Sequence, residues 1–285
     1  RTPPFDGMAT ADVDPTDAAL RAHAAGSGQE ADTGDADGWS FDLFASAGPP
    51  GGTDGGDTAE DAVADDDDEA WESVEWAPQD PHVKSVMIHR RLAQCWASAR
   101  MLSEWLLGPG RPMLQGCRLT VELGASLGLP TLAASHAGAD RCVATDLYPS
   151  GSAAALEATI ARNRRATGRP QLFGNVCAQR LNWFEAPEAL GELRNAADVV
   201  LCADVIYERR AAPAIALGVN AALRRGGTLV FASRYGRVGL SEFLEAIADH
   251  GFVLRSEAPL RSERLGLGLD AEEAHGLWLF DKPAT

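Results

Sequence analysis

A strand-like run, Val121-Glu122-Leu123, opens directly into Gly124-Ala125-Ser126-Leu127-Gly128 and then into the stretch beginning Leu129-Pro130. Without a side chain, Gly124 lets a ligand approach the backbone at the end of a strand, and Gly128 lets the following helix pack closely against it. A ligand is therefore expected at the carboxyl edge of this strand. The spacing is Gly-x-x-x-Gly, not the Gly-x-Gly-x-x-Gly of dinucleotide sites. Asp146 stands 22 residues after Gly124 and closes the next strand-like run. A carboxylate there can accept hydrogen bonds from both ribose hydroxyls of an adenosine, although alone it would equally suit a turn. Asp204 and Tyr207 follow the apolar run that ends at Ala203. Asp204 reads as a reacting carboxylate or as a cap at a strand-to-helix junction, and Tyr207 as a site hydroxyl or as a packed aromatic. Trp183 falls in a loop-like context where packing alone explains a large aromatic poorly, whereas core packing would account for Trp96.

These residues need a scaffold, and the pattern from Val83 onward supplies one. Strand-like and helix-like blocks alternate, the signature of an open, mostly parallel sheet with helices on both faces. Leu92 to Leu107 carries apolar residues at helical spacing and stops before Gly108-Pro109-Gly110. Arg118–Leu123 reads as a strand, Leu129–His136 as a helix and Arg141–Asp146 as the second strand. Ala153–Ala166 is helical, Leu172–Leu181 holds a third strand, and Ala197–Asp204 is the fourth. Ala211–Leu223 forms a helix closed by Arg224-Arg225-Gly226-Gly227, ahead of the strand Thr228–Ser233. Leu240–His250 is the last helix, and Phe252–Leu254 with Leu277–Phe280 suggests a terminal antiparallel hairpin.

Four segments, taken in order, carry a resemblance. Val121–Gly128, Ala144–Asp146, Leu181-Asn182-Trp183 and Cys202–Tyr207 are similar to the motifs of the seven-β-strand methyltransferases of methyltransferase family 16, largely protein-lysine N-methyltransferases. The stretch Cys95–Leu102 also resembles the Trp-containing helix with which that family's domain begins, so the likeness covers about 80–285. It implies a Rossmann-like, doubly wound, seven-stranded α/β sheet with a C-terminal antiparallel hairpin, and S-adenosylmethionine as cofactor. It further implies that Trp96, Gly124, Ala125 and Ser126 line the methionine end and that Asp146 holds the ribose. Trp183 would stack on or edge the adenine, and Ala203 would give a backbone contact. Asp204 and Tyr207 become an Asp-x-x-Tyr motif where an acceptor lysine of a protein substrate enters. Ser126 replaces a third glycine, Leu127 a small polar residue, and Phe184 a common glycine, so a tighter turn or a lower cofactor affinity, and an altered adenine-side loop, are expected.

The chemistry is consistent with that assignment. Transfer from a sulfonium needs the acceptor's lone pair in line with the S–CH3 bond, so positioning and loss of the acceptor's proton are most of the task. A lysine ammonium has a pKa of about 10.4 in water and must arrive neutral. Asp204 can orient it by hydrogen bonding, while burial and a nearby positive charge favour deprotonation. Enzymes that methylate base amino groups usually carry Asn/Asp-Pro-Pro-Tyr/Phe at this point. Asp204-Val205-Ile206-Tyr207 has no proline, which counts against a nucleic-acid substrate. Methylation of a small molecule or of another protein residue, or a degenerate scaffold without activity, are the competing readings.

Charge divides the chain in two. Residues 1–80 hold 21 acidic and two basic side chains, leaving 20 acidic and 23 basic for 81–285. The net charge of −16 is thus −19 from the first segment and +3 from the second. The first segment is poor in periodic apolar residues and is expected to be a disordered acidic tail, with the aromatic island Trp39–Phe44 as a possible partner-binding motif. The domain behind it is nearly neutral, with one basic cluster, Arg162, Arg164, Arg165 and Arg169, of the kind found at a solvated helix end. Five scattered cysteines, with no CxxC pair, read as reduced core thiols of an intracellular protein, cytoplasmic or nuclear, and no metal site is expected. No apolar run reaches the roughly 18 residues that a membrane helix needs.

Overall fold

The computed structural model describes residues 71–75, 85–89, 95–147, 151–263, 266–268 and 274–285. The aromatic island at 39–44, the rest of the acidic segment outside 71–75, and the expected helix start at Leu92 lie outside them.

Seven strands form one sheet. In chain order these are β3 (Thr120–Leu123), β4 (Cys142–Asp146), β5 (Val176–Arg180), β6 (Ala197–Ala203), β7 (Leu223–Arg234), β8 (Val253–Leu260) and β9 (His275–Asp281). Their spatial order is β5-β4-β3-β6-β7-β9-β8. The first five run parallel, and β9 inserts antiparallel between β7 and β8. This is the doubly wound mostly parallel sheet and terminal antiparallel hairpin that the alternating pattern implies. β3 is buried at every position and β6 at nearly every one, as expected of strands covered on both faces.

Helices cover both faces. On one, α1 (Ala97–Leu107), α3 (Leu129–Ala137) and α4 (Gly151–Thr167) close an apolar core around Leu102, Leu132, Leu156 and Leu201. On the other, α5 (Ala212–Ala222) and α6 (Leu240–Asp249) pack Ile215, Val219 and Phe243 against Val121, Val200 and Phe231. The short helix α2 (Arg111–Leu114) links α1 to β3. Chain order reverses direction at β3: β4 and β5 extend to one side and β6 and β7 to the other. Open α/β sheets bind ligands at such a reversal, outside the carboxyl ends of the strands.

Three segments differ from the sequence reading. The third strand shrinks to Val176–Arg180, because Phe173 turns with φ +56° and is buried. β7 begins at Leu223, paired with Ala197, and regular pairing resumes at Thr228 opposite Val199, so Arg224–Gly227 is a bulge in the strand and not merely a helix stop. A strand β1 (Trp71–Glu75) forms ahead of Pro81 and pairs antiparallel with β2 (Ser85–His89). Asn163 on α4 anchors this pair. Its Oδ1 accepts from Met87 N–H at 2.9 Å, and its Nδ2 donates to Met87 C=O at 2.9 Å. Trp71 packs near Ala158, with the Arg162 guanidinium 5.7 Å from its ring centroid.

All five cysteines are free. Cys117, Cys142 and Cys202 are buried and Cys95 half-buried, but Cys177 is exposed because β5 is an edge strand. Among the described residues no helix is long and apolar enough to cross a membrane, and no group of three or more His, Cys, Asp or Glu is placed to hold a metal ion.

Candidate active site

β3 and β6 lie side by side with Leu123 opposite Cys202, so the two chains leave the sheet together at its carboxyl edge. Between them and the start of α1 is a cleft lined by Cys95, Trp96, Glu122, Ser126, Leu127 and Ala203 together with the backbone of Gly124 and Ala125. Trp96, Gly124, Ala125, Ser126 and Ala203 are thus gathered around one space.

The turn after β3 is built on left-handed backbone. Gly124 has φ +68° and Gly128 φ +70°. A Cβ on Gly128 would meet the Leu156 side chain at 2.8 Å, so the glycine is what lets α4 close over this corner. A Cβ on Gly124 would lie 2.8 Å from the Trp183 ring and 2.9 Å from Val205, so the indole is the group that approaches this backbone. Ser126 takes φ +49°, the conformation that a glycine would adopt freely. The serine holds this left-handed conformation at a cost of about 1–2 kcal/mol.

Asp146 belongs to the same corner. Its Oδ2 accepts from Ser126 N–H at 2.8 Å and its Oδ1 from Leu147 N–H at 2.7 Å. Ala125 N–H donates to Thr145 C=O at 2.9 Å, which ties the turn to β4 a second time. The carboxylate 22 residues downstream of Gly124 is therefore held against the glycine turn, on one edge of the sheet. Each of its oxygens has a further lone pair for a ligand hydroxyl.

Asp204 ends β6. Its N–H continues the ladder by donating to Ala232 C=O at 3.0 Å, yet its own φ is +52° and its Oδ1 is buried with no hydrogen-bond partner. Left-handed backbone at a non-glycine residue and an unsatisfied buried acceptor are each unfavourable. Tyr207, three residues on, is exposed, and its ring lies 6.4 Å from that of Trp183. Trp183 Nε1 is likewise buried without a partner. Trp183, Asp204 and Tyr207 border the cleft instead of lining it.

Two contributors escaped the sequence reading. Glu122 lies on β3, 2 % exposed, and lines the cleft. Its carboxyl group caps α3 by accepting from the Thr131 N–H at 2.9 Å and from the Thr131 hydroxyl. Burial pushes its pKa up to about 8, against the pull of those hydrogen bonds. A charged residue inside an otherwise buried strand is itself a signal, since Glu is rarely buried without a reason. The second is Arg237, whose Nε donates to Ile206 C=O at 3.1 Å while its guanidinium lies 5.6 Å from the Trp96 ring centroid. It ties the Asp204–Tyr207 loop to the start of α1, and nothing in its local sequence announces this. Cys95 also lines the cleft, but burial raises its thiol to about 11, so it stays protonated.

A sequence model of the lysine methyltransferase family matches residues 88–250, more than half of the chain. The chain belongs to this family. Its members use S-adenosylmethionine, and the chain is an S-adenosylmethionine-dependent methyltransferase. Among solved structures, the PH0793 protein of Pyrococcus horikoshii superposes with a TM-score of 0.50, at 13 % identity, over 74 % of this chain and 71 % of that one. Magnesium protoporphyrin IX methyltransferase from Synechocystis, with bound SAH, gives 0.44 at 13 % identity over 65 % and 81 %. P. horikoshii TYW2, in complex with MeSAdo, gives 0.45 at 13 % over 70 % and 69 %. A search of curated proteins finds no match.

The corner fits what this family must hold. A sulfonium and an α-ammonium group are cationic, and the cleft is lined by the Trp96 ring, whose face suits a cation, and by the Glu122 carboxyl group, which burial keeps protonated at neutral pH and which offers hydrogen bonds instead of charge. The adenosine needs a hydroxyl acceptor, and the Asp146 carboxylate is fixed beside the same turn.

Proposed function

We propose that this methyltransferase acts on a lysine side chain of a protein substrate. The observation that carries the reading is the buried, unpartnered Oδ1 of Asp204 at the end of β6, one residue from Ala203 in the cleft wall. An acceptor atom left without a donor is matched to a ligand that brings one, and a lysine Nζ brings up to three.

In this reading Asp146 takes the ribose hydroxyls and Trp183 the adenine edge. Trp96 and the Gly124-Ala125-Ser126 turn flank the methionine end, and Ala203 gives a backbone contact. The cofactor, when bound, supplies a methyl group on a positively charged sulfur. Asp204 holds the incoming Nζ by a hydrogen bond and fixes its direction of approach. The ammonium loses its proton to solvent before attack, favoured by its withdrawal from water and by neighbouring positive charge. Tyr207, with its ring against Trp183, forms an aromatic wall beside that path and presents a hydroxyl to it.

The test is to incubate the protein with labelled S-adenosylmethionine and a cell lysate, then identify the modified atom by mass spectrometry. Methyl-lysine is expected. Label found only on another residue type or on a small molecule refutes the lysine assignment. Asp204→Ala is expected to bind S-adenosylhomocysteine as the parent does and to transfer no methyl groups. Retained transfer removes Asp204 from the mechanism.

A further inference from the structure

Six large apolar side chains are more than one-third exposed among the described residues; one of them lines the cleft and three others lie on segments that leave the same carboxyl edge of the sheet. Trp96 is 42 % exposed at the start of α1, Phe184 48 % after β5, Tyr207 47 % after β6, and Val238 55 % after β7. The other two, Leu217 on α5 and Val253 on β8, stand apart from one another. Scattered apolar residues on a surface need no explanation, but four of them gathered at the sheet edge where a cleft opens do.

The rim is joined by contacts already described. Trp183 links Phe184, its chain neighbour, to Tyr207, and Arg237 links Tyr207's loop to Trp96. Its charge is one-sided. The loops at 183–185, 205–210 and 234–239 hold four arginines against Glu185 and Glu208. Arg209 is paired with Glu242 and Arg210 with Glu208. Arg234, exposed at the end of β7, and Arg237 face no carboxylate among the described residues. An apolar rim with two guanidinium groups outside any ion pair among the described residues, against the single Glu185 that is held by the Asn182 side chain, suits a polypeptide that brings apolar and acidic side chains together.

Resting on the lysine reading above, we infer that this rim docks the substrate polypeptide, and that the segment it takes carries acidic and apolar residues beside the acceptor lysine. The positive edge also repels segments in which the lysine is flanked by further basic residues.

The experiment uses the full chain and three sets of short peptides with one central lysine, flanked by Asp and Leu, by Arg and Leu, or by Ser and Gly. Initial rates with labelled S-adenosylmethionine are expected to favour the Asp/Leu set over the Ser/Gly set by about tenfold, from two exposed charge pairs and partial apolar burial. Arg234→Glu and Val238→Ser are each expected to raise KM for that set about threefold to fivefold, with affinity for S-adenosylhomocysteine unchanged. In parallel, peptides with methionine in place of the lysine are titrated by fluorescence anisotropy onto protein saturated with S-adenosylhomocysteine. Flank-dependent binding that weakens in Arg234→Glu supports the rim, even if no lysine peptide is methylated, and in that case the lysine reading alone fails. Methyl transfer indifferent to the flanks and to both substitutions overturns the rim and leaves the lysine reading standing. Absence of flank-dependent binding by any peptide likewise overturns the rim.

Discussion

Replacing Glu122 by glutamine should change how stability depends on pH. The carboxyl group is 2 % exposed, and burial raises its pKa from 4.5 to about 8 although Thr131 N–H and hydroxyl both bond to it. In the unfolded chain it ionises near the ordinary value. Between those two pH values the native state therefore binds one more proton than the unfolded state, so stability falls as pH rises. The contribution is complete below 4.5 and gone above about 8. At about 1.36 kcal/mol per pH unit the whole interval is worth at most roughly 5 kcal/mol, a large share of the 5–15 kcal/mol typical of a domain. Glutamine keeps an oxygen for Thr131 N–H and does not titrate. Urea denaturation of both proteins at pH 5, 6.5 and 8 is the assay. The stability of Glu122→Gln relative to the parent should climb with pH across this window, with a slope approaching 1.4 kcal/mol per unit. All other titrating groups cancel in the difference. Parallel curves would refute the claim that Glu122 is protonated in the native protein.

Three other substitutions probe the corner. Asp146→Ala should weaken S-adenosylhomocysteine binding by about 1–3 kcal/mol in calorimetry, through lost hydrogen bonds to the ligand and through release of the Ser126 N–H; unchanged affinity would make Asp146 a turn residue only. Ser126→Gly should raise stability by up to about 1 kcal/mol, because relief of a left-handed L-residue exceeds the added freedom of glycine in the unfolded chain. A lower denaturation midpoint for that variant would contradict the strain argument. Asp204→Gly should be more stable than the parent, having lost both the φ +52° penalty and the buried unpaired oxygen, yet inactive in transfer. A destabilised Asp204→Gly protein would show that the carboxylate serves the fold.

The sheet was legible because burial on both faces leaves a plain trace. Val121–Leu123, Cys142–Ala144 and Val199–Cys202 are nearly continuous apolar runs, and each became a central strand. Edges were less legible. β5 has one exposed face and an exposed Cys177, and its start depends on a turn at Phe173 that no residue type announces. β1 was read as part of the acidic segment, because Trp71 and Val74 are buried through β2 and through helices further along the chain, Trp71 against α4 and Val74 in the core that α1 helps to close. The glycine turn and Asp146 could be paired from spacing alone, since a fixed strand and helix length separates them. Glu122 was visible as a residue but not as a buried acid, because its burial depends on α1 and α3 closing over it.

Backbone conformation at Ser126 and Asp204 could not be read from residue type, which in both cases argues for ordinary φ. Tertiary hydrogen bonds impose it instead: Ser126 N–H is held by Asp146 on β4, and Asp204 N–H by Ala232 on β7. The two strained residues follow β3 and β6, neighbouring strands on either side of the point where the sheet order reverses. Strain at one of them could be an accident of packing. Strain at both, after neighbouring strands and each fixed from an adjacent strand, indicates that the sheet holds these two turns in geometries that the chain would not choose. A site whose two halves are pre-bent in this way loses little further freedom when ligand and acceptor arrive, which is how a rigid sheet can serve a transfer that depends on alignment.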